Sequence, residues 1–227
     1  MNTLFVNSCG NKYITKPKAS NKPILEFQKA VADDLEDFDS QMVYFYISPN
    51  AEAFKLFQIK AEQLRSTIEG SGNIADIITA VMIARISEKY GWPIETGHFG
   101  EIAKEIVKGK SRLAKYVLDE TCVEPFKLDI WWASFFATGD EKFLYNIFKY
   151  AGLNRPTEGD KARMQVIGAA TWSFKANCRQ HKKVLQFAKR KLDFGVLSEY
   201  QEGFIQECIE YASEKNIEES STPDRKD

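Results

Sequence analysis

Apolar side chains return at every third or fourth position along most of this chain. Phe27, Val31, Leu35, Phe38, Met42 and Phe45 step by 4, 4, 3, 4 and 3. Phe54, Phe57, Ala61, Leu64 and Ile68 follow the same rule, as do Met164, Ile167, Thr171, Phe174 and Cys178. Leu197, Tyr200, Phe204, Cys208 and Tyr211 repeat it near the carboxyl end. Such spacing stripes one face of a 3.6-residue helix and cannot line one face of a strand. It predicts an all-α fold in which these stripes face the core.

The breaks between stripes are helix terminators. Pro49-Asn50 follows the first, and Gly70-Ser-Gly-Asn73 ends the second, with Asn73 placed to cap a helix over Ile74 to Tyr90. Gly91-Trp-Pro93 stops that helix, since proline keeps its predecessor out of helical geometry. Thr96 is placed to cap the next, with Phe99, Ile102 and Ile106 inward; Gly109 ends it and Ser111 starts another. Gly139-Asp140 divides Phe126–Thr138 from Glu141–Tyr150, and Gly195 divides Val184–Leu192 from the last helix. Nine or ten helices result, joined by connections of roughly two to eight residues, as antiparallel helical neighbours require. The segment from Met42 to Ile47, MVYFYI, has β propensity, but the helical stripe runs through it in register.

Leu128 to Ala151 reads as a helix–turn–helix in tetratricopeptide style, yet no second copy follows at a spacing near 34 residues. The expected architecture is an irregular array of antiparallel helical hairpins without a regular repeat. Residues 1–22 read as a loosely ordered lead-in, 23–212 as one all-helical domain, and 213–227 as a disordered tail with one aliphatic residue in fifteen.

Composition excludes several classes. With 31 basic and 32 acidic residues the net charge is −1, which argues against nucleic acid as a partner. No apolar run reaches the ~18 residues of a membrane span. The first residues, MNTLFVNSCGNKY, lack the basic and apolar regions of a signal peptide. That leads us to expect a cytoplasmic protein, or an extracytoplasmic one if a leader is cleaved upstream. Cys9, Cys122, Cys178 and Cys208 form no C-x-x-C pair, and the last two fall on apolar helix faces, where they read as small buried hydrophobes. Whether any are paired stays open.

Motifs that carry chemistry are missing. Neither G-x-x-x-x-G-K-[ST] nor G-x-G-x-x-G occurs, and Gly109-Lys110-Ser111 has no strand before it. G-x-S-x-G and H-E-x-x-H are absent too. Two histidines, His98 and His181, with four scattered cysteines, are a poor supply of metal ligands. No catalytic residue, metal or cofactor is therefore expected. Charge is segregated, however. Residues 175–191 carry Lys175, Arg179, Lys182, Lys183, Lys189, Arg190 and Lys191 and no acid, whereas 33–39 carry five acids and no base. The two poles either attract each other, face partners, or are simply solvated.

Two segments carry a resemblance. In the first, Asp129, Trp132, Phe136, Ala137, Thr138, Gly139, Asp140 and Glu141 match D-x-L-W-x-x-F-x-A-T-G-D-E. In the second, Ala169, Ala170, Trp172, Ser173, Asn177, Gln180, His181 and Val184 match A-A-x-W-S-L-x-x-N-A-x-Q-H-x-x-V, with Phe174 for Leu and Cys178 for Ala. Together, over about residues 125–195, they resemble a family of uncharacterised all-helical proteins found mainly in bacteria. The resemblance implies paired helices and no particular reaction.

Candidate site residues come from these segments. Ser173, Asn177 and His181 are four apart along one helix face and either bind a polar ligand or cap backbone groups where helices meet. Trp131 and Trp132 point about 100° apart, so their helix is either central or leaves one edge as a groove for an amphipathic helix or extended peptide. The first expectation is a non-enzymatic helical-hairpin protein that binds a protein or peptide through Trp131, Trp132, Asp140, Trp172, Ser173, Asn177, Gln180 and His181. The alternative is an enzyme or small-ligand binder with a polar pocket at Ser173, Asn177 and His181, joined by Asp129 or Asp140. Self-association is a third reading.

Overall fold

A computed structural model describes residues 42–67, 74–154 and 160–220, without the side chains of 64–67 and 214–220. Nine α-helices run through them: α1 (Ala51–Thr67), α2 (Ile74–Tyr90), α3 (His98–Lys108), α4 (Arg112–Leu118), α5 (Phe126–Thr138), α6 (Glu141–Phe148), α7 (Lys161–Gln180), α8 (Lys182–Phe194) and α9 (Glu199–Ser220). No described residue lies in a strand, so the fold is all-α, as the apolar period predicts. The stripe residues Phe27 to Phe38, the Gly70–Asn73 break, the lead-in and residues 221–227 lie outside the described residues.

The MVYFYI segment forms neither strand nor continuous helix. Met42 is helical, and the chain then tightens into a 3-10 turn over Phe45–Ile47. Pro49 explains the stop, because it forces Ser48 out of helical geometry (φ −143°, ψ 65°). Asn50 then caps α1, its Oδ1 accepting from Ala53 N at 2.8 Å.

The helix contacts divide the chain into two compact units, where the sequence suggested one domain. Among the described residues, one takes those from Met42 to Thr121 together with Asp129–Phe143; the other takes Cys122–Leu128 and those from Leu144 to Ser220.

In the first unit α2 is the central rod. Every side chain from Ile78 to Ala84 is buried, and a helix apolar all round needs cover on all sides. Helices α1 and α3 pack on it, and α4 packs on α3. The 91–97 connection is held by α1. Gln58 Oε1 accepts from Glu95 N at 2.8 Å and its Nε2 donates to Pro93 O at 3.3 Å. Thr96 does not cap α3. Gly97 takes the N-cap position, at φ 154°, and the capping acceptor is Glu62 Oε1 of α1, 2.8 Å from Phe99 N. A side chain at position 97 would strike that carboxylate. Gly109 closes α3 in the left-handed conformation, and Ser111 Oγ caps α4 through Ala114 N at 3.0 Å, both as expected from sequence.

In the second unit α7, α8 and α9 pack against one another. Contacts between α7 and α9 rise together in number. Phe174 meets Phe204 at 6.0 Å, Lys175 Nζ pairs with Glu207 Oε2 at 3.0 Å, and Arg179 lies 4.7 Å above the Tyr211 ring. The two helices are thus parallel, and α8 returns antiparallel to both. Phe148, Phe174 and Phe187 form the aromatic centre, with ring centroids 5.5 to 6.2 Å apart. Helix α9 continues to Ser220, past residue 212, where the sequence suggested order would end.

Candidate functional site

The predicted polar row forms, and it faces inward. Asn177 Nδ2 donates to Ser173 O at 2.9 Å, and Ser173 Oγ donates to Ala170 O at 3.3 Å. All three residues of the row are buried, at 0 to 1% exposure, because α7 buries a wide face that also takes Val166, Ala170, Phe174 and Cys178. His181 is the single residue between α7 and α8. Its N–H donates to Asn177 O at 2.8 Å, and its carbonyl accepts from Val184 N at 3.0 Å and Leu185 N at 3.1 Å. It therefore closes one helix and opens the next. Burial pushes its imidazole pKa down to about 3, so the ring is neutral near pH 7. In this conformation Ser173, Asn177 and His181 are core and capping groups and present no surface to a ligand. Gln180, next in chain, is half-buried.

Trp131 and Trp132 are also core residues, which corrects the groove reading. Trp132 stacks on Phe136 at 5.7 Å and meets Phe135 edge-on at 6.1 Å. Helix α5 is buried from Lys127 to Thr138, so the adjacent indoles are covered on both sides. Asp129 is buried as well. Asp140 is committed to structure. Lys89 Nζ bonds both its Oδ1, at 2.6 Å, and the Thr138 carbonyl, thereby capping the carboxyl end of α5. Gly139, at φ 67°, makes the turn, and Thr138 Oγ1 accepts from Asp140 N at 3.1 Å. The Thr-Gly-Asp motif thus ties the α5–α6 turn to α2.

Trp172 behaves differently. Of the apolar side chains that match the two motifs, it alone is exposed, at 43%. It sits on a second stripe of α7 formed by Met164, Gly168, Trp172, Lys175 and Arg179, at steps of 4, 4, 3 and 4. Met164 is expected from sequence to face inward but is 38% exposed in the first turn of the helix. Nothing lies within 4 Å of where a Cβ on Gly168 would sit, so the stripe has an open notch between two large apolar side chains. Its far end is basic. Lys175 and Arg179 lie over Tyr211 at 5.6 and 4.7 Å. Hydrogen bonding to Glu207 raises the Lys175 pKa, so it is charged at neutral pH.

Sequence reading missed Met164, Gly168, Lys175 and Arg179 as one surface. The spacing was there, but a glycine and two cations carry it, and the apolar stripe beside it gives the stronger signal.

A pocket of about 330 Å³ lies in the first unit between α1, the 95–96 connection and α3. Gln58 and Glu62 in its wall already hold the 93–99 backbone, which makes it a by-product of loop anchoring. Among the described residues no cluster of three or more His, Cys, Asp or Glu could hold a metal ion. No described helix is long and apolar enough to cross a membrane. No protein-family model matches the chain, and neither a curated protein nor a solved structure matches it.

Proposed function

We propose that this protein is a non-enzymatic helical-hairpin protein that binds another protein, and that the outer face of α7 receives an amphipathic helix from that partner. The observation that carries this reading is the exposed Met164–Gly168–Trp172 stripe. A side chain of the partner enters the notch at Gly168, as knobs enter holes between packed helices. Trp172 supplies the large, rigid contact area that anchors protein interfaces. The buried state of Ser173, Asn177 and His181 weighs against the polar-pocket alternative, since a ligand would have to open the helix pair to reach them.

The test uses a photo-cross-linking residue at position 172 of the full chain in cells of its source. The expected result is a cross-linked protein that disappears when Gly168→Glu is added and is not captured from position 206 on α9. Gly168→Glu fills open space and removes a helical glycine, so circular dichroism should match the parent and melting should come no earlier. Capture that is indifferent to Gly168→Glu would remove the site. Cross-links only between copies of this chain would replace partner binding with self-association.

A further inference from the structure

Cys178 and Cys208 have no role in the surface described above. Both are buried free thiols, and they lie on the parallel helices α7 and α9. Their register is fixed on either side. Phe174 packs on Phe204 one turn before, Lys175 pairs with Glu207, and Arg179 covers Tyr211 just beyond. That register sets Cys178 opposite Cys208. The neighbouring thiol and burial raise the Cys178 pKa above the ordinary thiol range. A buried thiol of that kind is inert until its surroundings open.

The geometry points to Cys178 and Cys208 as a redox-modification site, a dithiol that closes to a disulfide joining α7 to α9. The oxidant class is a small disulfide such as oxidised glutathione. When α9 transiently opens, the thiolate of one cysteine attacks the glutathione disulfide. A protein–glutathione mixed disulfide forms and one glutathione thiolate leaves. The second cysteine attacks the protein sulfur of that bond and expels the second glutathione. The S–S bond between the cysteines forms, both thiol protons end on the two reduced glutathiones, and the protein loses two electrons to the oxidant. Because the helix register already sets the two cysteines opposite each other, the second step outruns a second glutathionylation. The closed form shuts a loop from 178 to 208, which restricts the unfolded chain and strengthens this unit in oxidising surroundings.

The test uses the full chain carrying Cys9→Ser and Cys122→Ser, which leaves only this pair. It is incubated for days in glutathione buffers of rising oxidised share, quenched with acid, alkylated in denaturant and weighed. The expected product is a monomer about 2 Da lighter, with no alkyl group, whose digest contains a peptide pair linked through Cys178 and Cys208. Its α7 and α9 amides exchange hydrogen more slowly than in the reduced form. Adding Cys208→Ser should abolish the linked product and leave one free or singly glutathionylated thiol. Two alkylated thiols at the most oxidising poise, two bound glutathiones, or disulfide-linked dimers would each overturn the inference.

Discussion

Acid should weaken the α7–α9 unit through His181 in particular. The imidazole lies in the core at the α7–α8 junction, where burial lowers its pKa from 6.5 to about 3. On unfolding it regains its ordinary value. Between those two values the unfolded chain binds a proton that the folded chain does not. Stability therefore falls as pH drops below about 6.5, with a slope approaching 1.36 kcal/mol per pH unit, and levels off near pH 3. Above pH 6.5 both states are neutral and the group contributes no pH dependence. From pH 7.5 to 5.0 the loss integrates to about 2 kcal/mol, or roughly 30-fold in the unfolding equilibrium. Hydrogen exchange by mass spectrometry reads this locally, in peptides covering 161–194, after correction for intrinsic exchange rates. His181→Gln and His181→Leu are the comparison proteins, because every other titration is common to them and to the parent. The parent should lose about 30-fold more protection than either variant over this range. Equal losses in all three proteins would refute the claim that a buried neutral imidazole sets the acid sensitivity of this unit.

Glycines give a contrast of sign. Gly168→Ala and Gly203→Ala enter open space on helices and should each stabilise by about 0.5–1 kcal/mol in urea unfolding. Gly100→Ala, also in a helix, sets its Cβ against the Glu95 carbonyl oxygen and should destabilise by about 1–3 kcal/mol in the same assay. Phe174→Ala removes a ring that touches Phe148, Phe187 and Phe204, and should cost about 3–5 kcal/mol, seen as early melting of the α7–α9 unit. Lys89→Met strips the cap from Thr138 and the ion pair from Asp140. A loss of about 1–2 kcal/mol, with faster amide exchange at residues 138–141, is expected; unchanged exchange there would show the cap to be idle.

The helices were legible because burial on a helix leaves a period, and the period survives in sequence whatever covers it. Phe126–Thr138 and Ile74–Tyr90 could be bounded from punctuation alone, since Gly139 and Pro93 act on the backbone locally. Caps supplied from a distance could not be read. Glu62 caps α3 from 37 positions earlier, and Lys89 caps α5 from 49 positions earlier, and neither pair shares a local pattern.

The site was harder for a related reason. Polar residues near a helix junction attract attention, yet Ser173, Asn177 and His181 lie inside because α7 is wrapped on a face wider than one stripe. Period tells which residues share a face but not how many faces are covered, and that number depends on neighbours elsewhere in the chain. Trp172 shows the same ambiguity from the other side. It shares its motif with buried groups and differs from them only by lying 100° around the helix from Ser173. Trp172 is left exposed by the described residues while Ser173 beside it is buried, and the apolar period alone does not carry that difference.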